Sequence, residues 1–77
     1  MRTTYLNPPR VCGVCGGDFG GVMYDAKILR GQRAGRWSNL CRRCFNVFGC
    51  RLAVGFGKVY IQNVHGEFVQ ARGWVKV

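Results

Sequence analysis

The stretch Cys12-Gly13-Val14-Cys15, together with Cys41-Arg42-Arg43-Cys44, decides how this chain folds. Each Cys-x-x-Cys pair can present two thiolates from one tight turn, and four thiolates satisfy a tetrahedral cation. The sequence therefore predicts one structural zinc ion bound by Cys12, Cys15, Cys41 and Cys44. Two disulfides or buried apolar thiols are the alternatives, but two identical spacings are typical of a metal site and are not required of a disulfide.

The length of the chain gives such a metal a structural role. At 77 residues the chain is one domain, near the size at which apolar burial alone leaves stability marginal. Structural zinc contributes on the order of 10 kcal/mol of apparent binding free energy in small peptides, which is comparable to the stability of a whole domain. Removal of the metal should therefore unfold the protein.

The cysteine usage and the hydropathy of the chain bear on its compartment. No apolar run approaches the roughly 20 residues that span a bilayer, and the N-terminus lacks the apolar stretch of a secretory signal. We therefore expect a cytoplasmic protein with no membrane partner, in a compartment that keeps thiols reduced. Cys50 is then an odd thiol. It could replace one of the four ligands, but a free cysteine packed as a small hydrophobe is the favoured interpretation.

The net charge indicates the class of partner. Twelve Lys and Arg residues against three acidic residues give a formal charge of +9. Nucleic acid is the first candidate because each neutralised phosphate releases counterions, and an acidic protein surface is the second. A basic surface that serves only solubility is the simplest alternative. The densest positive segment has no acidic residue and predicts phosphate contacts by Lys27, Arg30, Arg33, Arg36, Arg42 and Arg43.

Trp37 lies inside this basic segment. Aromatic side chains among arginines stack on the bases of single strands, so Trp37 is a candidate nucleic-acid contact, and Phe56 is a second candidate for stacking. A domain this small needs its large apolar side chains inside, which favours core packing of Trp37 beside the metal.

The apolar pattern predicts a β-rich chain with a short helix at its centre. Residues 21–29 and 36–40 form a predicted hairpin whose second strand leads into Cys41, as expected of a zinc ribbon with two Cys-x-x-Cys knuckles. Residues 42–49 predict a short helix that Gly49 ends.

The two ends of the chain carry different signals. Residues 1–10 contain two prolines and predict a flexible arm, so that residues 11–77 form a single zinc-ribbon domain. Residues 58–64 and 67–75 predict a C-terminal β-hairpin closed by a two-residue turn, His65-Gly66. His65 is interpreted as a turn residue rather than a ligand or a base, because the Cys₄ set is already complete.

The order of these motifs resembles small, largely uncharacterised zinc-ribbon proteins of phage and plasmid genomes. The resemblance covers roughly residues 12 to 60 and implies a zinc site and a mobile-element origin, hence a host cytoplasm, without an established activity. It is carried by Cys12-x-x-Cys15, Asp25-Ala26-Lys27, Gly35-Arg36-Trp37, Leu40-Cys41-x-x-Cys44, Gly49, Leu52 and Gly55-Phe56-Gly57-Lys58-x-Tyr60.

A second set of residues is similar to endonuclease VII-like nucleases of the His-Me finger group. Arg30-Gly31, Leu40-Cys41-Arg42-Arg43-Cys44, Asn46 and Gly49 look like their pattern. Those nucleases carry an Asp-His-rich stretch before the second cysteine pair, where this chain has Tyr24-Asp25-Ala26-Lys27. The resemblance therefore implies a binding surface without the residues that activate water or bind a hydrolytic metal.

Together these observations predict a zinc-binding, strongly basic nucleic-acid-binding module that is not an enzyme. The alternative is a protein-interaction module that docks on an acidic surface of host transcription or defence machinery. A residual nuclease is the third hypothesis, and the missing Asp-His stretch argues against it.

Overall fold

The structure, a computed structural model, describes residues 4–53 and 55–71. Those residues form one antiparallel sheet with strand order β2-β1-β3-β4 and one short helix, α1, so the small β-rich fold predicted from the sequence is confirmed. Among the described residues, no helix has the length and apolarity needed to cross a membrane. The elements are β1 Val22–Lys27, β2 Trp37–Leu40, α1 Arg42–Val47, β3 Gly57–Gln62 and β4 Phe68–Gln70.

The β1–β2 hairpin forms where the sequence predicted it, with shorter strands. Tyr24 pairs with Leu40 and Lys27 pairs with Trp37. The Ile28 N–H donates to the Arg36 carbonyl at 2.8 Å, so the ladder extends one residue beyond each strand before the loop begins. The hairpin places the end of β2 directly before Cys41.

Gly49 terminates helix α1 as predicted, through a Schellman motif that follows the last helical residue, Val47. Gly49 has a φ of 64°, a conformation that L residues with a Cβ rarely adopt. The Cys50 N–H donates to the Phe45 carbonyl at 3.1 Å and the Gly49 N–H donates to the Asn46 carbonyl at 3.2 Å. These two bonds satisfy carbonyls that the end of a helix otherwise leaves unpaired.

The C-terminal hairpin is present, but its loop differs from the prediction. The Asn63 N–H donates to the Glu67 carbonyl at 2.8 Å, so three residues, Val64, His65 and Gly66, form the loop instead of two. The side chain of Asn63 accepts hydrogen bonds from the His65 and Glu67 N–H groups, and these bonds stabilise the three-residue loop. The part of the predicted second strand that follows residue 71 lies outside the described residues.

The alternation of side chains gives the sheet two faces that carry different layers. On the helix face, defined by Tyr24 and its cross-strand neighbours, the Tyr24 ring stacks on Phe45 of α1 with centroids 4.1 Å apart. On the opposite face, defined by Met23, Asp25 and Lys27 of β1 and called the Trp37 face below, Met23 is fully buried. The core therefore lies on both sides of the sheet.

The N-terminal segment covers part of the Trp37 face. The Tyr5 N–H donates to the Phe68 carbonyl at 2.8 Å, and the Tyr5 ring packs edge-on against Tyr60 with centroids 5.2 Å apart. The Tyr5 hydroxyl contacts the Asn39 side-chain oxygen at 3.4 Å. The flexibility expected of residues 1–10 stays a prediction.

Candidate metal centre and nucleic-acid interface

The first cysteine pair lies in a tight knuckle stabilised by its own backbone. The Cys12 N–H donates to the Gly17 carbonyl at 2.8 Å, and the Gly16 N–H donates to the Cys12 carbonyl at 3.0 Å. Two further N–H groups point at sulfur, from Val14 to the Cys12 Sγ at 3.4 Å and from Gly17 to the Cys15 Sγ at 3.3 Å. These donors favour the thiolate form that binds a metal.

The glycines of this knuckle have separate roles. Gly16 has a φ of 73°, as the turn requires, whereas Gly13 does not share this conformation. Gly13 instead lies close to β2, where a Cβ at this position would be 2.6 Å from the Ser38 Oγ and would require the Ser38 side chain to rotate. The Gly13 N–H donates to the Asn39 carbonyl at 2.8 Å, so the knuckle is hydrogen-bonded to the outer edge of β2.

The second cysteine pair lies at the start of α1 and not in a second hairpin knuckle. Cys41 is the N-cap of the helix, with extended backbone, and Cys44 is in the first turn. The Phe45 N–H donates to the Cys41 carbonyl at 2.9 Å. The first turn of α1 therefore presents the second pair of sulfurs, in place of the second knuckle that was expected. Both sulfurs lie on the side of the helix that faces the first pair.

The four sulfurs converge on one point. All ligand atoms of the cluster lie within 4.8 Å of one another, and the Sγ atoms of Cys15 and Cys41 are 3.7 Å apart. Tetrahedral zinc with Zn–S bonds of about 2.3 Å separates its sulfurs by about 3.8 Å, whereas a disulfide needs about 2.05 Å. The cysteines are free thiols, so the cluster fits a metal ion and not a disulfide pair. Its members are Cys12, Cys15, Cys41 and Cys44.

The electrostatics of the four thiols reflect this crowding. Burial raises the pKa of the Cys12 thiol, but N–H donors of Cys15, Cys41 and Val14 and the Cys44 thiol outweigh burial and lower this pKa to about 6. Burial, hydrogen bonds to the other three cysteines and repulsion by Cys12 raise the pKa of Cys44. Four sulfurs at this spacing cannot all ionise alone, whereas a dication compensates their charges.

Cys50 and His65 lie outside the cluster. Cys50 is half-buried, and desolvation raises the pKa of its thiol despite N–H groups of Leu29 and Cys50 that lower it. His65 is exposed in the loop between β3 and β4. Neither residue belongs to the group whose ligand atoms meet.

Three of the predicted nucleic-acid contacts line one groove. Arg33, Arg36 and Trp37 border a groove of about 320 Å³ at the outer edge of β2, opposite Gly13 and Val14 of the knuckle. Arg33 and Arg36 are exposed, and within residues 4–53 and 55–71 no acidic residue lines the groove. The candidate metal centre and the groove are adjacent, because the Cys12–Cys15 knuckle contributes residues to both.

The other predicted contacts are spread over the molecule. Lys27 is the cross-strand neighbour of Trp37 on the Trp37 face. Arg30 packs against Gly49 beyond the end of α1, where a Cβ on Gly49 would lie 2.7 Å from the Arg30 Nε. Arg42 and Arg43 are exposed on α1, which covers the opposite face of the sheet. The basic segment of the sequence therefore does not form one continuous surface.

Trp37 is not in the core, so the favoured sequence interpretation of this residue is wrong. Its side chain is 52% exposed, whereas Leu40 on the same strand is fully buried. Because the two residues are three apart on one strand, their side chains lie on opposite faces, and Leu40 occupies the face under α1. Alternation along β2 was the signal in the sequence that could have placed Trp37 correctly.

Lys58 is a residue of this surface that the sequence did not indicate. It pairs with Asp25 across β1 and β3 and is exposed on the Trp37 face. Nothing in the sequence shows that β3 pairs with β1, so the position of Lys58 beside this hairpin depends on the tertiary structure.

No protein-family model, curated protein or solved structure matches this chain. The resemblances to zinc-ribbon proteins of mobile elements and to endonuclease VII-like nucleases therefore stay predictions.

Proposed function

We propose that this protein is a nucleic-acid-binding module stabilised by one structural zinc ion. The observation that carries the proposal is the groove at the edge of β2, where Arg33 and Arg36 lie beside the exposed indole of Trp37. Arginines at a groove free of acidic residues suit phosphates, and an exposed aromatic ring among them suits bases. The net charge of +9 adds a long-range attraction for polyanions.

The zinc ion in this proposal has a structural role. Cys12, Cys15, Cys41 and Cys44 would hold it, and it would supply a cross-link between the knuckle and the start of α1. Four thiolates complete a tetrahedral zinc site, which leaves no position for a reactive water. We therefore propose a binding role rather than an enzymatic one.

The resemblance to zinc-ribbon proteins of phage and plasmids supports an origin in a mobile element and action in a host cytoplasm. Three acidic residues in the whole chain leave little to repel a polyanion there. An acidic host protein offers the same charge complementarity without bases, and the experiment below separates it from nucleic acid.

Titration of labelled DNA at several salt concentrations tests the proposal. Phosphate contacts by Arg33 and Arg36 predict that log K falls with log[salt], with a slope of about −0.9 per contact on duplex and about −0.7 on single strands. Arg33→Ala and Arg36→Ala should each reduce the magnitude of the slope by about one contact. Arg51→Ala removes an exposed arginine outside the groove and is the matched control, with a smaller expected change.

Two results would overturn the proposal. The first is a dissociation constant no tighter than the ~0.1 mM of any cationic protein for all nucleic acids tried. The second is a protein partner from host lysate that stays bound after nuclease treatment while purified nucleic acid does not bind, which would establish the protein-interaction alternative.

A further inference from the structure

We infer that the nucleic acid is single-stranded and that one of its bases stacks on Trp37. The inference rests on the proposed function and specifies its substrate class. It is carried by the Trp37 face, where the exposed indole and two lysines lie on one side of the sheet, next to the groove at the sheet edge that Arg33 and Arg36 line.

The register of the sheet brings the cations to the indole. Trp37 of β2 is directly opposite Lys27 of β1, and the next row of the same face is Asn39, Asp25 and Lys58. Side chains of directly paired residues stand close together on one face. The indole therefore has Lys27 on its inner side and, at the sheet edge, the groove lined by Arg33 and Arg36.

Trp37 differs in its exposure from the other aromatic side chains of the described residues. Among the aromatic side chains of the described residues, Trp37 alone is exposed, and the others are buried or half-buried. Tyr5 packs on the same face, against the Tyr60 ring and within contact of the Asn39 side chain. These contacts do not extend to the next cross-strand pair, Trp37 and Lys27. A large indole left uncovered in a domain that needs its apolar area indicates a surface that stacks on a ligand.

The shape of the surface favours a single strand over a duplex. Bases in a duplex are stacked on each other, and their edges are reached from the major groove by a protruding helix or ribbon. Trp37 instead lies on a sheet, and the six-residue α1 packs on the other side. Unpaired bases can lie flat on an indole while the backbone follows neighbouring cations, which is how sheet surfaces bind single strands.

Asp25, the carboxylate on this face of β1, lies where it does not repel the phosphates of such a strand. Asp25 is half-buried between Asn39 and Lys58, its paired neighbours, and lies one row away from the indole. Lys58 is directly paired with Asp25 and compensates its charge. Lys27, directly paired with Trp37, therefore remains able to contact a phosphate beside the indole. The strand thus runs along the Trp37–Lys27 row toward the groove.

The test compares a labelled oligothymidylate with a duplex of the same length. The single strand should bind more tightly than the duplex, and Trp37→Ala should weaken single-strand binding by about 5- to 150-fold, the range of base–aromatic stacking. Trp37→Phe should retain most of the affinity, because a phenyl ring still stacks. Zinc content and circular dichroism of each variant show whether the fold is kept.

The matched control is Ile61→Ala. Ile61 is 51% exposed, as Trp37 is 52% exposed, but it lies on the opposite face of the sheet in register with Val22. The control should leave single-strand affinity within about twofold. In a Trp74→Phe background the fluorescence of Trp37 should also fall as the single strand is added, because stacked bases quench indole emission.

The outcomes separate this inference from the proposed function. Equal or tighter duplex binding, together with equal effects of Trp37→Ala and Ile61→Ala, would overturn the inference while leaving a nucleic-acid-binding protein. Absence of salt-dependent binding to both nucleic acids would overturn the proposed function as well.

Discussion

The Sγ atoms of Cys15 and Cys41 lie 3.7 Å apart, although 26 positions separate the two residues in the chain. This separation is close to the sulfur–sulfur distance of about 3.8 Å in a tetrahedral zinc site, and the cluster joins the knuckle to the start of α1. A metal at this point would hold together two segments that the β1–β2 hairpin separates.

Removal of the metal is therefore expected to unfold the protein. Purified protein should contain one zinc per chain by elemental analysis, and a strong chelator should abolish the circular dichroism of the sheet, because the apparent binding energy of on the order of 10 kcal/mol matches the stability of a small domain. Cys44→Ser should lose stoichiometric zinc, since Cys44 is a buried member of the cluster. A metal-free protein that stays folded would refute the assignment.

Cys50→Ser is the control for the cluster and a prediction in itself. Cys50 is half-buried and does not belong to the group of converging ligands, so this variant should keep its zinc. Its free energy of unfolding should fall by at most about 1 to 2 kcal/mol, the usual range for a modest packing change. Loss of zinc in Cys50→Ser would show instead that Cys50 is a ligand.

Gly57→Ala should destabilise the sheet by about 1 to 3 kcal/mol, the range for overpacking a core. Gly57 is buried at the start of β3, and a Cβ there would lie 2.7 Å from the Arg51 carbonyl oxygen and 2.8 Å from the Ala26 Cβ. The Arg51 carbonyl is part of the backbone, so it cannot relieve the clash by a change of rotamer as a flexible side chain can. Chemical denaturation measures the change, and Lys58→Arg, which keeps the charge at an exposed position on the same strand, should stay within about 0.5 kcal/mol.

The pH dependence of stability should reveal the carboxyl group of Asp25. Burial raises the pKa of Asp25, and attraction by Lys58 offsets this only in part. A carboxyl whose pKa is raised on folding contributes its stability fully below the unfolded pKa of about 3.9, and this contribution is lost as pH rises through the folded pKa. Asp25→Asn should therefore be more stable than the parent protein at pH 7, with an advantage that shrinks toward pH 4.

The readout for Asp25 is the difference between the two proteins, because acid also protonates the cysteines and releases zinc from both. Lys58→Met removes the compensating cation, so the advantage of Asp25→Asn at pH 7 should be larger in that background. A variant that is less stable than the parent at pH 7 would contradict the expected sign.

No nuclease activity is expected. Incubation with magnesium or manganese and plasmid, branched DNA or RNA should leave the substrates intact, because Tyr24 to Lys27 stand where related-looking nucleases carry their Asp-His-rich stretch. In the structure Tyr24 is buried and stacked on Phe45, a packing role rather than a catalytic one. Cleavage that persists through purification and disappears in His65→Ala would contradict this expectation.

The sequence by itself determined the features that depend on local spacing. The Cys-x-x-Cys pairs predicted the cluster, the alternation before Cys41 predicted the β1–β2 hairpin, and Gly49 predicted the end of α1, since each of these signals lies within a few neighbouring residues. The hairpin of β3 and β4 was predicted for the same reason. Its loop length was not, because the side chain of Asn63 closes the turn.

Only the tertiary structure decided how these pieces form surfaces. The pairing of β1 with β3 joined two predicted hairpins into one sheet, and this placed Lys58 on the Trp37 face. Helix α1 and Tyr5 then covered opposite faces and left Trp37 exposed, against the expectation that size alone would bury it. A contiguous basic segment was thereby divided between the two faces, because strand parity and layer packing, and not proximity in the chain, determine which side chains share a surface.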